Sequence, residues 1–438
     1  MTPATDALVL GGGAAGLAAA REISRAGRSV RVVEARDRLG GRILTVRDPG
    51  SPLPVELGAE FVHGESAETL DVLRAARRAV EEIPEAHCRA REGKLAPISG
   101  FWDTVERTRR AIGRRLRSAG GDVSFQDYLD HARLPAERRR LLLEFVEGFH
   151  AARVDRISAN SLAAEGENGG HRQFRVAGGS DGVIETLRAG LDPERADVRL
   201  NTVALELRWR RRTVTLLSRT GTGRRLEPLH AKAAVIALPH AVLRAGDLRF
   251  RPALPEKERA ARRLEVGQVF RIVLRFRAAF WEDDRFVRTR LGEEGDLGFI
   301  HGVDEEVPVW WTPLPARAPI LTGWAGGPKA ERLLDRTPEM RLDRSLDSLA
   351  RILSVARRSL DEGLERASFH DWRSDPWSRG AYSYVGVGGL TAQRTLARPV
   401  EETLFFAGDA LDPDEMGTVG GALTSGRRAG TALVRSLS

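Results

Sequence analysis

Apolar residues along this chain gather in short runs set between glycine turns and charged stretches. Asp6-Ala-Leu-Val-Leu10 is apolar without alternation, the pattern of a parallel strand covered on both faces. Residues 15–26 are alanine-rich and predict a helix, which Gly27 is suited to end. Ser29-Val-Arg-Val-Val33 predicts a second strand. Ala234-Val-Ile-Ala-Leu238 predicts a further buried strand, and Phe405-Phe-Ala407-Gly408 reads as a strand running into a turn. Arg271-Ile-Val-Leu-Arg-Phe276 alternates as a half-buried strand does. Residues 101–117 and 134–149 carry helical patterns. A strand, a helix and a strand in that order predict an α/β fold.

The turn between the first strand and the helix carries the first chemistry. Gly11-Gly12-Gly13-Ala14-Ala15-Gly16 contains G-x-G-x-x-G, with Gly11, Gly13 and Gly16 in the three slots. Gly11 permits the tight turn, Gly13 lets backbone approach a pyrophosphate, and Gly16 lets helix and strand pack closely. The helix start at Ala14 and Ala15 offers unpaired N–H groups and a positive dipole end to phosphates. Glu34 ends the second strand, where a carboxylate accepts hydrogen bonds from ribose hydroxyls and repels a 2′-phosphate. A lone glycine motif is weak evidence; the strand before it, the helix after it and the acid make it a dinucleotide site. This unit does not choose between NAD and FAD.

Composition narrows the class. The 438 residues suffice for two domains or one large one. The formal net charge is +8, which by itself fits a nucleic-acid binder. Of the 69 basic residues, however, only Lys94, Lys232, Lys257 and Lys329 are lysine. The arginines spread along the whole chain among Asp and Glu, and the local runs at 107–117 and 138–140 read as solvated helix faces. No nucleic-acid partner is expected. A single cysteine, Cys88, leaves no intrachain disulfide and no cysteine metal cluster. It fits a reducing compartment, and no metal is expected. No leader and no apolar membrane span stand out. The expectation is a cytoplasmic, soluble protein without a membrane partner.

Directly after Glu34 come Ala35-Arg36-Asp-Arg38-Leu-Gly40-Gly41-Arg42. On these residues the chain resembles the flavin-containing amine oxidase family, in which an E-A-R-x-R-x-G-G-R run begins at the acid of the dinucleotide fold. Further segments resemble the same family in order: the loop 55–64, the stretch 174–182, the Phe280-Trp281 pair, Asp371-Trp372 through Tyr382-Ser-Tyr384, and Phe405 through Gly426. The segment 371–384 is most similar to the polyamine oxidase and lysine-specific histone demethylase branch.

The resemblance implies FAD, bound noncovalently because Ala381 stands where covalent relatives carry cysteine. It implies that Gly40 and Gly41 approach the cofactor and that Arg36 and Arg42 offset pyrophosphate charge. Gly58, Ala59, Glu60 and Phe61 would pass under the flavin ring, and Val203 would lie near the adenine. Gly408 and Asp409 would hold the ribityl or phosphate region. Thr418 and Val419 would begin a helix whose N–H groups face the flavin pyrimidine and favour its anionic reduced form. The implied catalytic set is Arg271, His63, Trp372 and Tyr382, with the two aromatics beside the flavin ring and His63 facing substrate. Arg271 stands where the family usually has a lysine that holds a water against flavin N5. Arginine keeps the charge but does not readily release a proton, which predicts slow reaction with oxygen or a different electron acceptor. Thr418 stands where monoamine oxidases place a second tyrosine, so a two-tyrosine cage is not expected.

The implied architecture is a discontinuous Rossmann-type FAD-binding domain (1–85, 172–243 and 372–438) with an α+β substrate-binding domain (86–171 and 244–371). The large insertion of the histone demethylases is lacking, which argues against chromatin work. The expected reaction is oxidation of an amine (polyamine, monoamine or amino acid) by hydride transfer to FAD, with O2 or another acceptor taking the electrons. Two rivals stand beside it: C–C desaturation within the same superfamily, and a basic binding protein whose FAD is structural. Polyamine substrates call for acidic surroundings, for which Asp283, Asp284 and Glu293 are candidates without an assigned place.

Overall fold

Thr5–Leu10 is buried over its last four residues because both of its faces are covered. Ala7 and Val9 point to one side, with Val30, Val32 and the helix residues Ala15, Ala19 and Ile23. Leu8 and Leu10 point to the other, with Ala234, Ile236, Leu207 and Leu216. That two-sided cover is why the run carries no polar alternation. The computed structural model describes residues 5–438 except 92, 99, 117–120, 165–171 and 292–295, and only the backbone of 104, 108, 109, 112–116 and 137. Arg117 and Glu293 therefore lie outside the described residues.

Thr5–Leu10 is flanked by Val30–Val33 and Leu229–Ile236, both parallel to it. Ala196–Arg199 adds to the Val30–Val33 side, and Leu404–Phe406 pairs parallel with the end of Leu229–Ile236. The start of Leu229–Ile236 pairs antiparallel with Thr213–Arg219, which pairs antiparallel with Val203–Arg210. The helix Ala14–Arg25 follows the glycine turn and ends before Gly27, which has φ +75°. The C-terminal helix Val419–Leu437 packs directly on it. A Cβ on Gly426 would overlap the Ala15 carbonyl, and one on Gly430 would come 2.7 Å from the Ala19 carbonyl. The two ends of the chain thus form one layer.

A second sheet runs Leu364–Phe369, Val269–Phe276, Ile320–Gly326, Val309–Trp311, Phe299–His301, His87–Arg91, Lys94–Pro97. Leu346, Leu349 and Leu353 of the helix Pro338–Leu353 cover one face. The helices Phe101–Leu116, Phe125–His131 and Ala136–Gly148 follow the hairpin of His87–Arg91 and Lys94–Pro97 in the chain. Two expectations change here. Val269–Phe276 is not half-buried: every residue except Arg275 is buried. Its even and odd positions enter different cores, one behind the sheet and one made with Val55, Leu57 and Ile320. The segment after 244 is also not all on the substrate side. Arg249–Arg251 joins the first sheet beside Val203–Arg210, and Ala260, Ala261 and Leu264 fill the core of that sheet. Leu264–Val266 then pairs antiparallel with Ser383–Val385, so this part of the expected substrate segment packs with the first sheet and the C-terminal segment.

No described helix is long and apolar enough to cross a membrane. Among the described residues no group of three or more His, Cys, Asp or Glu is placed to hold a metal ion.

Candidate active site

One continuous cavity of about 900 Å³ runs from the glycine turn to the second sheet. Ligand pockets span roughly 300–1,000 Å³, so this one is large enough for a cofactor with substrate beside it. At its first end the helix Ala14–Arg25 is capped by Gly13, and no side chain bonds its first turn. Those N–H groups are left for a ligand. Gly11 has φ +106°, and a Cβ there would come 2.5 Å from the Ala237 carbonyl. A Cβ on Gly16 would overlap the Gly11 carbonyl. Gly13 differs: a Cβ there would meet only the Cα of Gly41, at 3.9 Å. Gly13, Gly40 and Gly41 all line the cavity; at Gly13 and Gly41 the missing side chains leave room, whereas a Cβ on Gly40 would come 3.0 Å from the Ile43 carbonyl. Glu34 is buried, and its carboxylate accepts from the Gly12 N–H at 2.7 Å and the Arg36 N–H at 2.9 Å. A carboxylate has about four acceptor positions, so capacity for ribose hydroxyls remains. An adenine dinucleotide fits this end on all four counts: open first-turn amides, a glycine-walled slot, a fixed acid and sufficient length.

The two arginines of the motif bind protein as well as lining the cavity. Arg36 donates to both oxygens of Asp375 at 2.8 and 2.9 Å and to Ser378 Oγ at 2.8 Å. Burial alone would raise the Asp375 carboxyl, but hydrogen bonds from His370 and Arg36 hold it well below the usual range. Arg42 pairs with Asp409 and donates to the Ala381 carbonyl at 2.5 Å. Each pair ties the N-terminal unit to a segment more than 300 residues away. Both arginines share their charge with carboxylates while still lining the cavity.

The middle of the cavity is floored by the loop 57–61. Gly58 lies so close to Arg42 that a Cβ would overlap its carbonyl. Glu60 is buried under three donors: Arg271 Nη2, Arg175 Nε at 2.7 Å and Trp311 Nε1 at 3.3 Å. Burial works to raise the Glu60 carboxyl, but Arg271 and Arg175 outweigh it and hold it low. Arg271 also donates to the Gly58 carbonyl at 3.0 Å. It is only 5% exposed and its Nε has no partner. Across from this floor, Trp372 is fixed by its indole N–H on the Leu57 carbonyl at 2.9 Å. The Tyr382 hydroxyl donates to the Phe149 carbonyl at 2.6 Å, and burial pushes its phenol well up. Thr418 caps the last helix: its Oγ1 accepts from the Gly421 N–H at 3.0 Å, and Thr418 and Val419 face the cavity. The amides of Val419 and Gly420 begin that helix and have no carbonyl four residues back.

Beyond the floor the cavity becomes an aromatic chamber. The His63 ring stands edge-on to Phe61 at 6.1 Å and to Phe149 at 5.7 Å. Phe61 continues to Trp311 at 5.5 Å and Phe299 at 5.9 Å. Burial pushes His63 down to about 4, so its imidazole is neutral near pH 7.

Of the residues expected from sequence, the cavity brings together all but Gly16 and Val203. Gly16 serves the helix–strand contact instead. Val203 is buried, and the neighbours Thr202 and Ala204 reach the cavity in its place. Asp283 caps a surface helix through the Arg285 N–H at 2.8 Å, and neither it nor Asp284 lines the cavity. The sequence reading missed the chamber wall: His87, Phe101, Trp102, Phe149, Phe299, His301, Trp311 and Trp324. Only Trp310-Trp311 left a signal. Adjacent residues on a strand face opposite sides, and here Trp310 enters the core while Trp311 faces the cavity.

Residues 14–434 match the family model of flavin containing amine oxidoreductases. The chain is similar to polyamine oxidase 2 of Arabidopsis thaliana, 28% identical over 98% of this chain and 88% of that protein. It is 26% identical to lysine-specific histone demethylase 1 homolog 3 of Arabidopsis thaliana, over 98% of this chain but only 30% of that longer protein. Its fold superposes on putrescine oxidase, wild type bound to putrescine, with a TM-score of 0.83 at 22% identity over 99% of both chains.

Proposed function

The chain belongs to the flavin-containing amine oxidoreductase family, and we propose that it oxidises an amine to an imine, with dioxygen as the final acceptor and hydrogen peroxide as the product. FAD is its cofactor. It is bound noncovalently: Ala381 offers no attachment, and the one cysteine, Cys88, is buried in the second sheet. When bound, FAD supplies a two-electron acceptor for the hydride of the amine α-carbon. The observation that carries the proposal is the single cavity that begins at the dinucleotide turn and ends in the aromatic chamber.

The chain's residues divide the work. The open amides of the first helix turn, Gly13, Gly40, Gly41 and Glu34 hold the adenine and pyrophosphate half. Gly58, Ala59, Phe61, Gly408, Asp409, Thr418 and Val419 hold the other half. The amides that open the last helix favour negative charge beside them. Trp372 and Tyr382 are locked by their hydrogen bonds and present fixed ring faces to the amine. Arg271 keeps a permanent positive charge on the cavity wall, and Glu60 and Gly58 fix its position.

Amines arrive largely as ammonium ions, and only the neutral form gives up a hydride. The chamber promotes deprotonation by desolvation, since burial disfavours the charged form. Neutral His63 can accept or donate a hydrogen bond to the amine nitrogen, but it is too weak a base to store the proton. The aromatic walls exclude water during the transfer. The test is an absorbance spectrum of the purified protein followed by anaerobic titration with amines of different charge and length. Bleaching of the flavin band by at least one amine is expected, and no bleaching by any would overturn the proposal. Stoichiometric peroxide on admitting air tests the acceptor separately.

A further inference from the structure

The chamber holds two histidines that no step above uses. His87 and His301 lie on paired strands, and His87 Nδ1 and His301 Nε2 share a hydrogen bond of 3.0 Å. The His87 ring is stacked between Phe101 at 4.5 Å and Phe299 at 4.8 Å. Both histidines line the cavity, and His87 is only 6% exposed. Among the described residues the shared bond is the only side-chain hydrogen bond of either ring, which leaves His87 Nε2 and His301 Nδ1 for a ligand. Burial keeps both rings uncharged, pushing His87 to about 4 and His301, with His87 and Arg89 adding to the effect, to about 3.

A neutral imidazole has one N–H and one bare nitrogen. The shared bond uses one nitrogen of each ring. If His87 donates, the outer N–H is on His301 and the outer bare nitrogen on His87; if His301 donates, the two exchange. Either way the pair shows the cavity one donor and one acceptor. Such a pair matches a group that both gives and takes a hydrogen bond.

We propose that the His87–His301 pair is a specificity site for the end of the substrate remote from the oxidised amine, and that it takes a neutral hydroxyl or amide there. This rests on the amine-oxidising reading. An ammonium in that position would be a donor only, would use one nitrogen and would face the N–H of the other. The rival occupant is a diamine, whose second ammonium would pair with Glu147, a cavity carboxylate that burial raises against the pull of Lys329, Arg332 and Arg153.

The experiment uses the holoenzyme and begins with ligands that cannot be oxidised as amines. Calorimetric titration should show 4-methylphenol binding about tenfold or more tighter than toluene, the size of one well-made buried hydrogen bond. The ratio should fall to about one in His301→Phe and be partly kept in His301→Gln. Equal binding of the two ligands by the native protein, or a ratio unchanged in both variants, overturns the proposal. In turnover, 2-(4-hydroxyphenyl)ethylamine should exceed 2-phenylethylamine in kcat/KM by a similar factor; preference for 1,4-diaminobutane over both overturns the proposal. If the phenol preference is present and lost in His301→Phe while no amine is oxidised, the reaction has been misassigned and the subsite stands.

Discussion

Replacing Glu60 by alanine should destabilise the protein by about 3–5 kcal/mol, the usual loss when one partner of a buried ion pair is removed. The structure gives the reason for a value in that range. The Glu60 side chain is 9% exposed, and those of Arg271 and Arg175 are 5% and 11% exposed. At an effective dielectric near 20, unit charges about 4 Å apart interact by about 4 kcal/mol. Glu60 faces two such charges, and their mutual repulsion offsets part of the gain. After the substitution Arg271 retains the Gly58 carbonyl and Arg175 retains those of Thr312 and Leu314. Both cations stay buried and hydrogen-bonded but lack a counter-charge. Glu60→Gln keeps an acceptor without the charge and should fall between the native protein and the alanine variant.

Equilibrium urea denaturation, followed by tryptophan fluorescence, measures the loss. The double variant Glu60→Ala/Arg271→Leu should be less unstable than the sum of the two single changes by about 2 kcal/mol or more, since contacting charges couple. An alanine variant within about 1 kcal/mol of the native protein, or strict additivity in the double variant, would refute the reasoning. The pH dependence has a fixed sign. The folded-state pKa of Glu60 is depressed, so its contribution is full above the unfolded value of about 4.3 and is lost as pH falls through the lower folded value. The native and Gln variants should therefore converge in stability only in strong acid.

Three further outcomes follow from the same geometry. Gly13→Ala should fold and melt like the native apoprotein yet bind FAD at least about tenfold more weakly, because its Cβ enters the cavity; Gly16→Ala should lose stability instead, because its Cβ strikes the Gly11 carbonyl. Glu56→Gln should be more stable than the native protein at pH 8, by on the order of 2 kcal/mol, with the difference gone below about pH 4.5. Burial raises this carboxyl to about 7, so its protonated form is favoured in the fold and the benefit is lost as pH rises to that value; urea midpoints across pH test it. The pH profile of kcat/KM should show no ionisation of His63 between about pH 5 and 8, since burial holds it near 4. A break near pH 6.5 that disappears in His63→Asn would contradict this.

The dinucleotide half was legible because its parts are close in sequence. Gly11, Gly13, Gly16 and Glu34 fall in one strand–helix–strand unit, and each position has a steric or electrostatic requirement that few residue types meet. The helix start at Thr418 was legible only through the family resemblance. What escaped was set by contacts between distant segments. Glu60 read as a backbone neighbour of the flavin, but its carboxylate is the counter-charge of Arg175 and Arg271, 115 and 211 residues away. Arg36 and Arg42 read as offsetting pyrophosphate charge; their carboxylate partners Asp375 and Asp409, more than 300 residues away, could not be read. The chamber wall escaped because an aromatic residue in a strand looks the same whether it faces a core or a cavity.

The position of Arg271 follows from that network. It lies on a strand of the second sheet yet bonds Gly58 and Glu60 in the loop that leaves the first unit, so it joins the two halves across the cavity. A guanidinium can reach a carbonyl and a carboxylate at once through a rigid fork; an ammonium is a single point of charge on a flexible stem. Glu60 and Gly58 together give the two arms of this guanidinium their partners. The pair exchanges a side chain able to release a proton for one that is always charged and always in place. Arg271→Lys should loosen Glu60 and the floor of the cavity before it changes any proton transfer. The variant's first measurable effect is then weaker FAD retention, with any change in the reaction with oxygen appearing on top of it.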